Sequence, residues 1–258
     1  MAQPLYQRIV NDYREAIESG RLRPGELLPS EPELIARYHA SKSTVGKAIA
    51  ALKAEGLVFS QRGRGVFARR RPSIRRIASE RYRADMEPQD TPQTSFTAEQ
   101  GIAWQDYRLD RTYEWIEADE RLGELFGVAV GTRVLERRFV FHSKGEPTQM
   151  SRPCLLASDV EGTPVADPDR EPWPGGTIAQ LRSIGIVVDD VQESVSARMP
   201  TPEETATLSI GSGVPVFAIT RRMLAQGRVV EVADPIVIPA DRAILDYQIK
   251  LGCPGPNP

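Results

Sequence analysis

Near the start of the chain, Ile9, Tyr13, Ala16 and Ile17 recur at the spacing of one helical face, which predicts a helix from about Leu5 to Ser19 ended by Gly20. Pro24 and Gly25 mark a turn. Ser30 then stands where an N-cap is needed, with Pro32 in the first turn and Glu33 three residues on, the pattern of a capping box. A second, short helix to about Tyr38 follows from this. After a break at His39 and Ala40, Ser41 is placed to cap a third helix with Val45, Ile49 and Leu52 inward. Lys42, Ser43, Thr44 and Lys47 fall near its N-terminal end or outer face. Beyond Gly56, two short apolar segments, Leu57 to Phe59 and Val66 to Phe67, flank Gln61, Arg62, Gly63, Arg64 and Gly65. They predict a β-hairpin. Its glycines permit tight backbone geometry, and its arginines can meet phosphates or enter a minor groove.

In the remainder of the chain, strand-like runs alternate with turn signals, and two stretches share a layout: LGELFGVAVGTRVLERRFVFHSKGEPT and EETATLSIGSGVPVFAITRRMLAQGRVVE. Each reads as a short helix, a glycine turn, an apolar strand with an arginine pair, and a hairpin turn. Gly131 to Arg137 is two residues shorter than Gly213 to Arg221, an offset that keeps a side chain on the same face of its strand. This weak repeat predicts an antiparallel α+β sheet. Between the two parts, RRRPSIRR and MEPQDTPQT at residues 70 to 95 read either as a linker or, through Ile77, Tyr82 and Met86, as a segment docked on the body.

Charge changes the picture of a nearly neutral chain. Residues 1 to 76 hold 15 Lys and Arg against 7 Asp and Glu, a surplus of +8, while the rest holds 18 against 28, a deficit of −10. A basic head on an acidic body points to nucleic acid for the head alone. The only cysteines, Cys154 and Cys253, lie far apart and fit a reducing cytoplasm better than a disulfide framework or zinc site, and two histidines, His39 and His142, make no metal cluster of their own. No run is apolar enough to span a membrane, and the N-terminus has no signal-peptide pattern.

Four pieces of the first segment, PGELLPSE at 24 to 31, STV at 43 to 45, LKAEGLV at 52 to 58 and QRGRGVF at 61 to 67, together resemble the winged helix-turn-helix of the GntR family of bacterial transcription regulators over residues 4 to 69. The resemblance implies DNA contacts from Lys42, Ser43 and Thr44 at the start of the recognition helix and from Arg62 and Gly63 in the wing. Lys47, Lys53 or Arg64 would add charge, since many members have arginine where this chain has Pro32 and Gly46. Gly46 costs about 1 kcal/mol of helix propensity relative to alanine. Either it lets the helix approach DNA more closely or it is simply tolerated.

From about residue 79 to 250 the repeat, PWPGGTIAQLRSIGI at 172 to 186 and EVADPIVIPADRAILDYQI at 231 to 249 resemble the UTRA effector-binding domain of the HutC-type branch, in a form like that of actinobacterial regulators. The implied fold is a mostly antiparallel α+β domain similar to chorismate lyase, whose enzymatic activity does not carry over with the fold. Effector contacts implied or suggested by position are Gly176 and Thr177 at a helix N-terminus, where free N–H groups favour an anion. Plain N-capping by Thr177 is the alternative. Arg137 and Arg138 follow, one on each face of a strand, with exposed salt bridges as the competing explanation. Ser151 stands where a glutamate is common, with Arg152 beside it. Glu231 and Asp234 complete the set, unless they form a buried pair. Phosphosugar sensors of this type carry arginines where this chain has Phe139 and Phe141, which leaves room for a more apolar effector.

Asp189, Asp190 and Glu193 form a carboxylate run without a partnered histidine or nucleophile, so they read as a solvated face, and no catalytic residue, cofactor motif or metal spacing emerges. The expected protein is a cytoplasmic, homodimeric transcription regulator, a repressor on a palindromic double-stranded DNA operator, controlled by a small-molecule effector for which an anion is one candidate. Its alternative is an effector-independent regulator, for example of plasmid maintenance or transfer, whose body serves only dimerisation. The expected division is a winged helix-turn-helix at 1–71, a linker at 72–95, the UTRA domain at 96–250 and a disordered tail at 251–258.

Overall fold

In the head, local sequence closes the starts of the second and third helices and the end of the first. In this computed structural model, which describes residues 3–61, 63–69, 74–77, 81–82, 92–211 and 213–247, helix α1 spans Leu5–Glu18 and Gly20 follows at φ 76°. Helix α2 spans Glu31–Tyr38, its start held by the Glu33 carboxylate, which accepts from the Ser30 backbone N–H and hydroxyl at 2.7 Å each. Helix α3 spans Lys42–Ala54, with the Ser41 hydroxyl accepting from the Thr44 N–H at 3.2 Å. Their apolar faces meet in one core of Ile9, Val10, Leu34, Val45, Ala48 and Leu52. Strands β1 (Val58–Gln61) and β2 (Gly65–Ala68) pair antiparallel, Phe59 opposite Phe67, with Leu27 bridging to Phe67 from the outside. Gly63 and Gly65 turn the hairpin at φ 73° and 116°, a region closed to most side chains.

The chain divides into two compact units, one of Met1–Ser73, Ala197–Phe217 and Pro239–Arg242, the other of Ile74–Ser196, Ala218–Ile238 and Ala243–Pro258. The second is built on a six-stranded sheet. Strands β4 (Arg108–Glu117), β5 (Arg133–Ser143), β6 (Glu146–Leu156), β7 (Asp190–Arg198), β8 (Val216–Ala225) and β9 (Arg228–Pro239) lie in the order β4-β5-β6-β9-β8-β7. Strands β4 with β5, β5 with β6 and β6 with β9 pair antiparallel. A separate parallel pair joins β3 (Ile74–Ile77) to β10 (Ala243–Asp246).

The repeat seen in the sequence is the plan of this sheet. Helix α4 spans Ser95–Gln100; α5 (Glu120–Phe126) follows β4, α6 (Ala157–Val160) follows β6, α7 is Gly176–Ser183, and α8 (Pro202–Thr207) follows β7. The caps Asp119 and Thr201, the turn glycines Gly131 and Gly213, and the hairpin glycines Gly145 and Gly227 are each separated by the same 82 positions. Both hairpins turn through two residues of positive φ, Lys144–Gly145 and Gln226–Gly227, the geometry that matches strand twist. On this offset Arg221 falls opposite Phe139 rather than Arg137, and the two-residue shift keeps both arginines on one face. The two halves meet at β6 and β9. One sheet face packs Leu135, Leu155 and Met223 against Ile178 and Leu181 of α7, the other packs Val134, Cys154 and Val232 against Phe126 of α5.

The residues between the motifs do not all behave as a linker. β3 pairs with β10, and Tyr82 packs on the α7 side of the core, whereas Met86 and the tail 251–258, with Cys253, lie outside the described residues. The reading of Asp189, Asp190 and Glu193 as one solvated face needs correction at its last member. Asp189 and Asp190 are exposed, but Glu193 is buried against Arg76 and the Tyr82 hydroxyl.

Glu204 at the start of α8 gives a pH-dependent expectation. The Arg198 fork donates to both its oxygens at 2.7 Å, and with the Thr201 N–H this holds its carboxyl below the usual carboxylate range. A folded pKa lower than the unfolded one gives stability that is complete above the unfolded value and is lost as pH falls through the folded value. Glu204→Gln is therefore expected to cost about 1 kcal/mol near pH 7, discounted for the partly solvated Arg198. The gap from the parent should close below about pH 4, as followed by circular dichroism melts across pH.

Candidate nucleic-acid interface and ligand cavity

The N-terminal turn of α3 presents its polar residues outward. Lys42, Ser43 and Lys47 are exposed and Thr44 is half-buried. The Ser41 hydroxyl lies 2.9 Å from that of Ser43 and 2.8 Å from that of Thr44, so these three hydroxyls are pre-ordered around the free N–H groups of the turn. No described carboxylate pairs with Lys42 or Lys47. In the wing, Gly63 and Arg64 are exposed, and the Arg64 guanidinium sits 6.0 Å from the Phe67 ring centre; Arg62 lies outside the described residues.

Gly46 is exposed on α3, and a Cβ added there would meet nothing within 4 Å. Packing inside the chain does not require glycine. Gly46→Ala is thus expected to raise stability by about 1 kcal/mol in urea unfolding followed by circular dichroism. Operator titration of the same variant decides between the two readings of this glycine, because weakened DNA binding would show close approach and unchanged binding would show tolerance.

In the second unit, β4, β5, β6, β8 and β9 together with α4, α7 and the segment before α7 line a partly open cavity with room for water-sized centres over about 80 Å³. One water needs about 10–15 Å³ on that measure, so the space suits a small organic molecule. Aromatic groups supply much of the wall: Phe96, Tyr107, Phe139, Phe141 and Trp173. Phe96 and Phe141 stand 5.0 Å apart between ring centres, Phe139 and Phe141 5.9 Å. Burial pushes the Tyr107 hydroxyl above its ordinary pKa, with Glu171 adding to the effect, so it stays a neutral donor. The Tyr113 hydroxyl, beside the cavity, is likewise pushed up to about 12 by burial.

Among the effector residues expected from sequence, Ser151, Gly176 and Thr177 line this cavity. Arg137 stands behind it. Fully buried, it donates to the Gln180 side-chain oxygen at 2.7 Å and to the Thr177 hydroxyl at 3.2 Å. The N-cap of α7 is Gly175 at φ 78°, so Thr177 is an acceptor for Arg137 rather than a cap. Glu231 is also fully buried and carries Arg221, which does line the cavity, at 2.5 and 3.1 Å. Arg138 and Arg152 do not reach it. Strand alternation turns both to the opposite sheet face, where they hold the buried Glu136, Arg138 at 2.5 Å. Asp234 is likewise elsewhere, bound to Arg121 and, at 2.7 Å, to the Thr220 hydroxyl; these two donors outweigh its burial and lower its pKa.

Sequence reasoning missed Arg81, Gln149, Glu171 and Arg221 as lining residues. Arg81 comes from the stretch read as linker, and its fork binds Glu99 at 3.1 Å and the Ser95 hydroxyl at 3.0 Å. Glu171 accepts from the Tyr113 hydroxyl at 3.1 Å, the Trp173 N–H at 2.8 Å and the Gln180 amide at 2.7 Å. For Arg221 the available signal was Glu231, its partner on β9. Nothing local marked Arg81.

A winged helix-turn-helix with outward polar residues at the start of its third helix, followed by an α+β domain with a polar and aromatic cavity, places the chain in the class of two-domain DNA-binding transcription regulators. The chain belongs to the GntR family of bacterial regulatory proteins, whose model matches residues 5–68, with a UTRA domain matching residues 111–242. It is 29% identical over 235 residues to an uncharacterized HTH-type transcriptional regulator of Streptomyces coelicolor, covering 89% of this chain and 87% of that one. The histidine utilization repressor of Klebsiella aerogenes is 26% identical over 222 residues, covering 85% and 84%. A solved GntR-family transcriptional regulator aligns with a TM-score of 0.64 and 31% identity over 97% of this chain and 99% of that one. PhnF from Mycobacterium smegmatis, at a TM-score of 0.53 and 22% identity over 96% and 100%, shares the fold. The protein is a GntR-type transcription regulator, and among the described residues no helix is long and apolar enough to cross a membrane.

Proposed function

We propose that the protein is a ligand-responsive repressor that binds a palindromic operator as a homodimer, placing two α3 helices in successive major grooves. Supporting this are the exposed Lys42 and Lys47 at the start of α3, the charge split between head and body, and repressor relatives such as the histidine utilization repressor. The observation that carries the ligand response is the cavity in the UTRA domain, with buried polar side chains at its wall. A body kept only for dimerisation would gain stability by filling such a space with apolar side chains. Ligand and DNA affinities are then linked reciprocally through two arrangements of the dimer.

The test is capture of genomic fragments by purified protein, repeated with a small-molecule extract of the source cells. A few palindromic sites lost on adding extract is the expected result. Sites retained in every extract would favour the effector-independent regulator, and no enrichment at low salt would remove the DNA-binding assignment. Lys42→Ala is expected to weaken operator binding by about 1–3 kcal/mol if it reads a base edge, with relaxed preference at one base pair of each half-site. A uniform loss across sequences would make it a phosphate contact instead.

A further inference from the structure

The cavity's charges are already spoken for. Arg81 is paired with Glu99, and Arg221 with Glu231. Arg137 and Glu171 are joined through one side chain, since Gln180 accepts from Arg137 at 2.7 Å with its oxygen and donates to Glu171 at 2.7 Å with its nitrogen. Three cations thus meet three carboxylates, and no surplus of positive charge faces the space. A dianion entering here would give up its water without a matching cation, a penalty that buried ions recover only from free and well-placed partners.

What the wall does offer is neutral hydrogen bonding. Gln149 and Ser151 of β6 are 8% and 5% exposed, line the cavity and bond to no described side chain. They project from the same strand face, paired across to Phe141 and Phe139 of β5. Because Thr177 accepts from Arg137, its own hydroxyl hydrogen is left to donate. Buried polar groups of this kind are expected to be bonded, so a ligand edge carrying an amide, carbonyl or hydroxyl is their complement. The aromatic side of the cavity complements a ring by offset or edge contact.

We propose that the effector is an uncharged, ring-bearing molecule whose polar edge is read by Gln149 and Ser151, and that phosphorylated compounds are excluded. The proposal rests on the cavity being the effector site. Three probes with one ring and different charge test it: benzamide, benzoate and phenyl phosphate, titrated at neutral pH into the full chain by isothermal calorimetry or ligand-observed NMR. Benzamide is expected to bind at least about tenfold more tightly than phenyl phosphate, with benzoate between them. Gln149→Leu, of similar volume, is expected to weaken benzamide by up to about tenfold, and Ser151→Ala to weaken it less. Ser151→Ala also serves if Gln149→Leu fails to fold. Phenyl phosphate binding as tightly as benzamide, or benzamide binding unaffected by both variants, would overturn the proposal. So would no binding of any probe up to about 20 mM. If cell extract still releases captured DNA in that last case, effector control stands and only the assigned ligand class falls.

Discussion

Glu231→Ala is expected to lower the unfolding free energy by about 3–5 kcal/mol, because it leaves the buried Arg221 guanidinium without its carboxylate. Burial alone would lower the pKa of Arg221, yet Glu231 and Tyr82 more than reverse this and raise it. An arginine cannot shed its proton to escape a buried site, so the loss appears as instability rather than as a neutral side chain. Trp104, Trp115 and Trp173 all lie in the same unit as this pair, so urea unfolding followed by tryptophan fluorescence reads the relevant transition. The double variant Arg221→Met with Glu231→Leu should recover most of the stability, since both charges then leave the core. A single-variant loss under about 1 kcal/mol would mean that water reaches Arg221 from the cavity and replaces the carboxylate.

That pair also marks where sequence reasoning stops. Ser30 with Glu33, Ser41 with Thr44, and Gly20 act within one helical turn, so the helices of the head are written locally and can be read locally. The hairpins at Lys144–Gly145 and Gln226–Gly227 are legible for the same reason, and the repeat of the two halves follows from them. Pairing of β6 with β9 is not local, and with it goes the identity of the face that carries the cavity. Alternation along β5 shows that Arg137 and Arg138 must part. Only the position of α7 makes Arg137 the buried one, held by Thr177 and Gln180, while Arg138 joins Arg152 on Glu136. Arg81 was invisible in the same sense, for its place on the cavity wall depends on Ser95 and Glu99 in a helix that propensity alone does not connect to it.

Raising salt from about 50 to 200 mM is expected to weaken operator binding by roughly a thousandfold, a change of about 4 kcal/mol. The size follows from counting the exposed cations at the start of α3 and in the wing, the elements taken to meet the DNA backbone. Lys42, Lys47 and Arg64 are exposed and without a described carboxylate, whereas Arg14 and Arg21 are engaged by Glu55 and Glu15 at 2.7 Å. Presented twice by the proposed dimer, these three cations would make about six phosphate contacts, and a slope near −0.9 per contact gives about −5 in log affinity against log salt. The acidic remainder of the chain, at −10, adds no attraction of its own and suppresses binding to non-operator DNA. Fluorescence anisotropy of an operator duplex across the salt range measures the slope. Arg64→Ala should make it shallower by about 2, one contact from each protomer, at any operator sequence. A slope near −2 for the parent would place most of these cations away from the backbone, and the contacts that bind the operator would then have to come from base edges read by Ser43, Thr44 and their neighbours on α3.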